Sequence, residues 1–531
     1  MRHRLAWPIT ATHFVAALLT GTLLGSIVQT QINLAALQQL GVDIPIMQRL
    51  TTTLGDLVTF SPVYFALFSV GFVISQIVAL WISRRYWNGR HRLGLCTLSA
   101  MAALWATFHL VDHFAPMPTL IAATRTATGM AAMVLTAGGA GAVLAWLRGT
   151  SRHSAPTASS ATIALLMIGA AGMTPASDAL AQSEATDYRI ETVAERLEHP
   201  WSLAFLPDGR MLVTERPGRL RLLNAGGETI NPSLEGVPRV FASGQSGLFD
   251  VLLSPDFEQD RTLFLAYSCG TQAANHACLS RAVFSDTGLE QVEEIFRAQP
   301  AKRGNAHFGG RLASLSDGTL ILTLGDGFDY REQAQNTANH IGAIVRLNPD
   351  GSVPADNPFV NDDTARPEIL SYGHRNVQGL VVDEEDRILM HEHGPKGGDE
   401  VNLITPGGNY GWPIATTGLD YTGARVTPFD TYPGTQPPLL EWTPSIAPSG
   451  MTRYDGALFP QWQGDLLIGS LVDREVRRVT LSDDATRAED IEGLFGELDE
   501  RIRDVRTGPN GAVYLLTDSA EGRVLKVMPA Q

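Results

Sequence analysis

Residues 305–327, NAHFGGRLASLSDGTLILTLGDG, place a histidine ahead of a hairpin that ends in an acid. His307 precedes a Gly-Gly pair, the turn Ser316-Asp317-Gly318 follows, and the run TLILTL leads into Asp326. A hairpin of that length folds the acid back beside the ring. A carboxylate behind a histidine holds one tautomer and stabilises imidazolium, which is what a general base requires. By itself the pair also describes a core histidine and a turn aspartate.

Three further stretches carry unusual polar density. GQSGLFD sets Gln245 among glycines, and SYGHRNVQGL sets His374, Arg375, Asn376 and Gln378 at the start of a strand. HEHGPKGGDEVNLITPGGNYGWP holds Gly394, Pro395, Asp399, Glu400 and Tyr410. An Arg-Asn pair at a strand start is costly to bury unless it meets an anion or a polar ligand. The glycine-rich acidic loop offers carbonyl and carboxylate oxygens, the hard ligands Ca²⁺ prefers, without the spacing of an EF-hand. Taken singly, Arg375 reads equally as a salt bridge between blades and the loop as a plain turn. Together with His307 and Asp326 they describe one shared axial pocket.

The elements that must position these residues repeat. From Tyr188 onward an apolar strand start, a turn built on Asp or Asn with Gly, and an alternating apolar run recur at 201–215, 248–267, 311–327, 377–394, 451–470 and 505–518. Each unit is a hairpin that cannot bury its apolar face alone, and repeats of this period read as propeller blades. The expected fold is an all-β six-bladed β-propeller over 187–531. The Pro/Gly/Asn-rich gaps 328–365 and 405–445 are expected to be loops on the face carrying the site.

Ahead of the propeller the composition changes. Residues 1–182 hold ten Lys and Arg against four Asp and Glu, whereas the remainder holds thirty against fifty-one, within a net charge of −15. The acidic part excludes nucleic acid as a partner, because phosphate binding needs a basic face. Apolar segments near 10–28, 58–82, 93–115 and 119–147 reach the length of about 20 residues needed to cross a bilayer. They define an α-helical transmembrane region over 1–160, with 29–57 as a nearly uncharged loop. Arg2, Arg4, Arg84, Arg85, Arg90, Arg92, Arg148 and Arg152 all fall on one side if the N-terminus is cytoplasmic. Residues 161–186 form a short apolar, signal-like segment and linker with a small-residue site at Ala181-Gln182. That places residues after about 183 outside the cytoplasm.

His109, Asp112 and His113 share the third apolar segment, as a haem or quinone site or as a polar contact inside the bundle. His13 is the other candidate ligand. Cys269 and Cys278 flank a hairpin loop in the exported part, where a disulfide persists; a metal site using His276 is the alternative.

HFGGRL with LGDG, SYGHRNVQGL, EHGPKGGDEVNLITPGGNYGWP and SIAPSGM, in this order between about residues 190 and 528, resemble the glucose/sorbosone dehydrogenase family, in its bacterial aldose sugar dehydrogenase branch. The resemblance implies a six-bladed quinoprotein that uses pyrroloquinoline quinone (PQQ) and Ca²⁺ to oxidise aldose sugars at C1 to lactones. It implies that His307 is the base, Asp326 its orienting partner, and Arg375 the stabiliser of charge on the reduced quinone. Gln245, His307, Arg375, Asn376, Tyr421 and the segment Ala447, Pro448, Ser449 would contact PQQ. Gly394 and Pro395 would offer carbonyls to a Ca²⁺ on the cofactor, while Glu400 and Tyr410 match a second, structural Ca²⁺ site. In GSLVDRE, Val472 stands where the family often has Lys, leaving Arg474 or Arg477 as replacements.

The expected setting is the bacterial inner membrane, with a periplasmic catalytic domain, an aldose substrate, and a respiratory quinone or cytochrome as acceptor. Two other readings stand beside it. A calcium-dependent lactonase on the same propeller leaves His307 and the Arg-Asn pair without a role. A non-catalytic sugar-binding propeller is favoured only by Val472.

Overall fold

Each of the six repeats folds into the two innermost strands of a four-stranded antiparallel sheet, in a computed structural model that describes residues 6–114, 119–150 and 187–530. The inner strands are Pro200–Phe205, Leu248–Leu253, Gly309–Ser314, Val377–Val382, Pro448–Arg453 and Ile502–Thr507. Each packs beside the next, and the last beside the first, closing a six-bladed propeller. The first five blades are simple meanders. The sixth takes Tyr188–Leu197 as its outer strand, paired to Gly522–Pro529, so the two ends of the propeller sequence lock in one sheet. Closure by pairing leaves the ring with no open seam.

The blades interlock through apolar layers such as Trp201, Phe249, Phe308 and Leu322. At the axis a charged layer replaces them. Arg311 lies 2.9 Å from Asp504, stacks on the Trp201 ring at 4.1 Å and donates to the Gln378 carbonyl at 2.7 Å. Arg506 bonds Asp250 and Asp504 at 3.0 and 2.9 Å. Five blades, all but the fifth, are thereby tied at the axis.

The N-terminal part is a bundle of four long helices, α1 (Ala6–Gln39), α3 (Ser61–Trp87), α4 (Arg92–Phe114) and α5 (Ala127–Thr150), with a shorter α2 (Ile46–Thr59) between the first two. The four are long and apolar enough to cross a membrane. Gly141 brings α5 so close to α4 that a Cβ there would lie 2.2 Å from the Cys96 carbonyl, the small-residue packing that lipid-embedded helices use. Arg84, Arg85, Arg92 and Arg148 gather at one end, where Arg92 donates to the Arg148 carbonyl at 3.1 Å.

The stretch 29–57 is not a loop. α1 runs on to Gln39 and α2 follows, with Ile46, Met47, Leu50, Leu54 and Val58 on an exposed apolar stripe and Thr52 and Asp56 buried opposite. The helical spacing of those apolar residues, rather than charge, makes the segment a helix.

The propeller sits on the bundle end opposite the arginines. Leu34, Leu37, Val42 and Ile44 pack on Ile414, Phe429 and Tyr432, and Ala424 is buried within the helix bundle's own core. Asp56 accepts from the Arg425 N–H at 2.9 Å and from Thr30 at 2.6 Å, while Asn33 bridges the Arg425 carbonyl and the Arg331 guanidinium. Gly423, at φ 86°, lies against the Thr59 carbonyl where a Cβ would come within 2.5 Å, so the 419–425 turn is fitted to the helices. The signal-like segment 161–186 and Ala181-Gln182 lie outside the described residues.

The histidines of α4 do not converge. His109 and His113 are exposed on the outer surface, His109 edge-on to Trp105 at 4.4 Å, and Asp112 accepts from the Leu120 N–H at 3.4 Å. His13 lies at the other end of the bundle, beside Arg148. Cys269 and Cys278 are joined by a disulfide across their hairpin, and His276 instead meets the Ala298 carbonyl at 2.7 Å.

Candidate active site

The third blade returns the acid to the histidine as the hairpin predicts. His307 Nδ1 and Asp326 Oδ1 are 2.6 Å apart, with both side chains buried. Asp326 is held from two more directions: the Phe328 N–H donates to Oδ1 at 2.7 Å and Trp412 Nε1 donates to Oδ2 at 2.8 Å. Nε2 is the ring nitrogen of His307 left over. The Gly-Gly pair is required here, because Gly310 at φ 99° lies so near the Phe249 ring that a Cβ would approach within 2.7 Å.

Burial, then the Arg375 cation, push the His307 imidazole below its ordinary value, against the pull of Asp326. Burial would raise the Asp326 carboxyl, but His307, Arg375 and the Phe328 N–H together hold it below the usual carboxylate range. The pair therefore rests as neutral imidazole and carboxylate, the form in which the ring can accept a proton. Beneath it Lys302 donates to the His307 carbonyl at 2.8 Å and lies 4.2 Å over the Phe308 ring. Burial lowers this ammonium to about 8.

Arg375 joins the remaining parts. It donates to the carbonyls of Gly394 and His393 at 2.7 and 3.1 Å and to the Tyr421 hydroxyl at 3.4 Å, with its guanidinium 5.3 Å from the Trp412 ring. Arg375 lines two of three spaces here, and its neighbours Asn376, His393 and Tyr421 border the other. A narrow one of about 30 Å³ lies between His307, Arg375, Trp412 and Tyr421, and Pro395 borders it. A larger one of about 250 Å³ runs along Gln245, Asn376, His393, Tyr421 and Ala447. A third is enclosed by Arg375, Glu392, Gly394, Glu400 and Tyr410.

The lining of the 250 Å³ cavity suits a polyanion. Gln245 accepts from the His307 N–H at 2.9 Å and Asn376 accepts from the Gly309 N–H at 3.2 Å, so the amide N–H groups of both are left for the cavity they border. Arg216, Arg501 and Arg503 line it with Asp518 as the one carboxylate among them. Arg501 and Arg503 reach Asp518 at 3.2 and 2.8 Å, the Arg503 Nε is buried without a partner, and Arg216 makes no side-chain hydrogen bond among the described residues. An excess of guanidinium over carboxylate in a closed space calls for an anionic guest. Pro448 accepts from His393 Nε2 at 2.6 Å and Ser449 donates to the Ile502 carbonyl at 2.6 Å, so of that segment only Ala447 borders the cavity.

The third space fits a cation. Glu392, Glu400 and Glu441 stand in register on three adjacent strands of the fourth blade, an arrangement that like charges disfavour. Burial and then Glu392 push the Glu400 carboxyl well above its ordinary value, with Glu441 and Asp399 adding to it. A divalent ion among these oxygens would relieve that cost. The Tyr410 hydroxyl donates to the Leu403 carbonyl and accepts from the Thr405 N–H, both at 2.7 Å, so its main-chain carbonyl is the oxygen left to offer a metal. The Gly394 carbonyl is already engaged by Arg375, and Asp399 ties the Gly394 and Ala447 N–H groups together at 2.8 and 2.9 Å.

Val472 is exposed, and the two proposed replacements are spent elsewhere. Arg474 pairs with Asp499 at 2.9 Å, and Arg477 pairs with Asp490 and Glu475 at 2.6 and 2.7 Å. The cations that do line the cavity are Arg216, Arg501 and Arg503. The last two alternate in RIRDVR at the start of the sixth blade, the same signal as the Arg-Asn pair of the fourth. Trp412 also escaped assignment, although NYGWP stands within a motif already singled out.

The chain matches the family described as Glucose / Sorbosone dehydrogenase over residues 197–526. It is 41% identical over 347 residues to the aldose sugar dehydrogenase YliI of Escherichia coli, covering 64% of this chain and 92% of that protein. It is 28% identical over 437 residues to quinoprotein glucose dehydrogenase B of Acinetobacter calcoaceticus, covering 67% and 90%. Among solved structures, the apo soluble aldose sugar dehydrogenase of E. coli covers 65% of this chain and 100% of its own at a TM-score of 0.61. The PQQ-bound aldose sugar dehydrogenase of Streptomyces coelicolor, 27% identical, covers 65% and 100% at 0.52. With a histidine-carboxylate pair beside an anion-accepting cavity in the stretch that matches, this chain belongs to the glucose/sorbosone dehydrogenase family.

Proposed function

We propose that the protein is a PQQ- and calcium-dependent aldose dehydrogenase that oxidises the C1 hydroxyl of a cyclic sugar to a lactone. The observation that carries this reading is the buried His307–Asp326 pair at 2.6 Å, set on the wall it shares with Arg375, Trp412 and Tyr421. His307 Nε2 takes the proton from the C1 hydroxyl, and Asp326 stabilises the imidazolium that results. PQQ, when bound, supplies the two-electron acceptor for the hydrogen leaving C1 as hydride. Arg216, Arg501, Arg503, Gln245 and Asn376 would hold its carboxylates and carbonyls. Arg375, which lines the space in front of His307, would stabilise negative charge on an acceptor reduced there. Glu392, Glu400 and the Tyr410 carbonyl are the oxygens for a structural Ca²⁺, and the Gly394–Pro395 loop for one beside the cofactor.

The bundle would anchor the enzyme in a bacterial inner membrane. Its arginine-rich end suits the cytoplasmic face and its propeller end the periplasm. The exposed stripe of α2 suits the headgroup layer on that side. Electrons would then pass to a respiratory quinone or a cytochrome.

The test uses the full chain in detergent, loaded with PQQ and Ca²⁺ and assayed for dye reduction against a panel of aldoses. Turnover with at least one aldose is expected, with His307→Ala lowering kcat about a thousandfold, within the range for losing a positioned base. No turnover with any sugar, or undiminished turnover in His307→Ala, defeats the reading.

A further inference from the structure

The narrow space in front of His307 has two kinds of wall. His307, Phe328, Arg375 and Trp412 come from the propeller, whereas Thr119, Ala122 and Arg125 come from the helix bundle, from the connection between α4 and α5. That connection includes a short 3₁₀ turn, Ala122–Arg125, and lies over the loop that follows Asp326. Arg125 donates to both carboxylate oxygens of Glu332 at 3.2 and 3.5 Å, and the Thr119 hydroxyl faces the Asp329 carboxylate. The second loop at the mouth, carrying Asp420 and Tyr421, is seated on the helices through Ala424 and Arg425. Both loops beside the reacting histidine therefore rest on the membrane bundle. The stretch shared with the family, 197–526, contains none of these bundle residues.

We infer that segment 119–125 is part of the substrate site, with Arg125 a substrate-contacting residue that confines the enzyme to monosaccharide-sized aldoses. The inference rests on the aldose dehydrogenase reading. A sugar ring is recognised by charged hydrogen-bonding groups at its hydroxyls and by aromatic faces, and the space combines both. Arg125 spends three donor contacts on the Ala122 carbonyl and Glu332, out of the five N–H groups a guanidinium carries. Asp420 brings a carboxylate, and Phe328, Trp412 and Tyr421 bring rings. The size limit follows from the walls. Thr119, Ala122 and Arg125 line the same space as His307, so a second ring linked to the reacting one runs into the bundle.

Two measurements on the full chain test this. The first compares kcat and KM for glucose with those for maltose and cellobiose in the PQQ- and Ca²⁺-loaded wild type, Arg125→Ala and Arg125→Lys. The wild type is expected to favour glucose at least tenfold in kcat/KM. Arg125→Ala raises KM for glucose about tenfold, with kcat changed less than threefold, and narrows the gap to the disaccharides. Arg125→Lys recovers part of the loss. Glu332 keeps Arg331 at 2.8 Å in either variant, so no carboxylate is orphaned. An unchanged KM together with unchanged discrimination in Arg125→Ala overturns the inference.

The second measurement does not depend on turnover. Thr119→Cys and Asp329→Cys are combined, and a protease site is inserted between residues 151 and 186. After cleavage the two halves are expected to stay joined on a non-reducing gel and to part on reduction. Halves that part without reductant overturn the inference even in an enzyme that oxidises glucose. A bond that forms in a protein that oxidises no aldose instead brings down the functional reading, and with it the substrate role of Arg125.

Discussion

Trp412 Nε1 donates to Asp326 Oδ2 at 2.8 Å, from a loop of the fourth blade to the acid of the third. The bond lies behind His307, so the orientation of the proposed base depends on a residue whose ring is also 5.3 Å from the Arg375 guanidinium. Replacing Trp412 with Phe keeps an aromatic ring and removes the donor. One oxygen of a buried carboxylate is then unpaired, at a cost of about 1–3 kcal/mol. The expected result is a fall of at least tenfold in kcat with a folded protein, measured by steady-state kinetics alongside thermal unfolding. An unchanged kcat would remove Trp412 from the catalytic arrangement.

The pH dependence has a definite sign. On the proposed reading His307 acts as a base and must be neutral, and burial with the Arg375 cation holds its pKa below the ordinary 6.5. kcat/KM therefore rises with pH below 6.5 and is flat above it. Arg375→Gln removes a cation that lowers this pKa, so the acidic limb moves to higher pH. Asp326→Asn removes a partner that raises it, so the limb moves to lower pH while the plateau falls at least a hundredfold. Stability follows the same linkage: as pH falls below 6.5 the unfolded chain takes up the proton first, and the folded state loses ground. A limb that moves the same way in both variants contradicts the assignment.

Much of this was legible in the residues, and the exceptions have physical causes. Six hairpins, four turning on glycine and two at Arg261 and Asp386, carry the propeller because side-chain alternation and positive-φ turns are local properties. The His307–Asp326 pairing is equally local, a single hairpin apart. Arg216 and Asp518 belong to different blades and meet only when the ring closes, so nothing near either in sequence marks them as neighbours. Arg474 and Arg477 fail as replacements for the missing lysine because acids on their own blade and beyond claim them, a competition spacing alone cannot rank. α2 reads as loop for another reason: few of its residues are charged, and low charge suits a loop as readily as a helix. The seating of the propeller mouth on Asn33, Asp56 and Arg125 lies beyond any local signal.

Lys302 offers a stability test separate from catalysis. Burial depresses its ammonium from 10.5 to about 8. The unfolded chain therefore holds this proton through a window where the folded chain has released it, and stability rises with pH between about 8 and 10.5. Lys302→Met removes a charge whose burial costs roughly 3 kcal/mol at neutral pH, at about 1.4 kcal/mol per pKa unit. The His307 carbonyl keeps the Gly327 N–H at 3.2 Å. Chemical denaturation at several pH values should show the alkaline gain in the wild type and its absence in Lys302→Met. A gain of the same size in both would mean that another group is responsible.

Calcium should act on the fourth blade first. Glu392, Glu400 and Glu441 face one another across adjacent strands, with Glu392 also tied to His374 at 2.9 Å and to the Arg375 N–H. A cation binding the folded protein alone stabilises it by about 2.7 kcal/mol at a hundredfold excess over Kd. Chelator should thus lower the unfolding temperature of the wild type, and added Ca²⁺ should restore it. Glu400→Gln removes one of three crowded charges, so its metal-free form should be more stable than metal-free wild type. The same change removes a ligand, so the gain on adding Ca²⁺ should shrink. The two effects have opposite signs, and together they separate a metal ligand from a merely buried acid: Glu400→Gln protein that is destabilised without metal and still responds fully to Ca²⁺ would rule out this site.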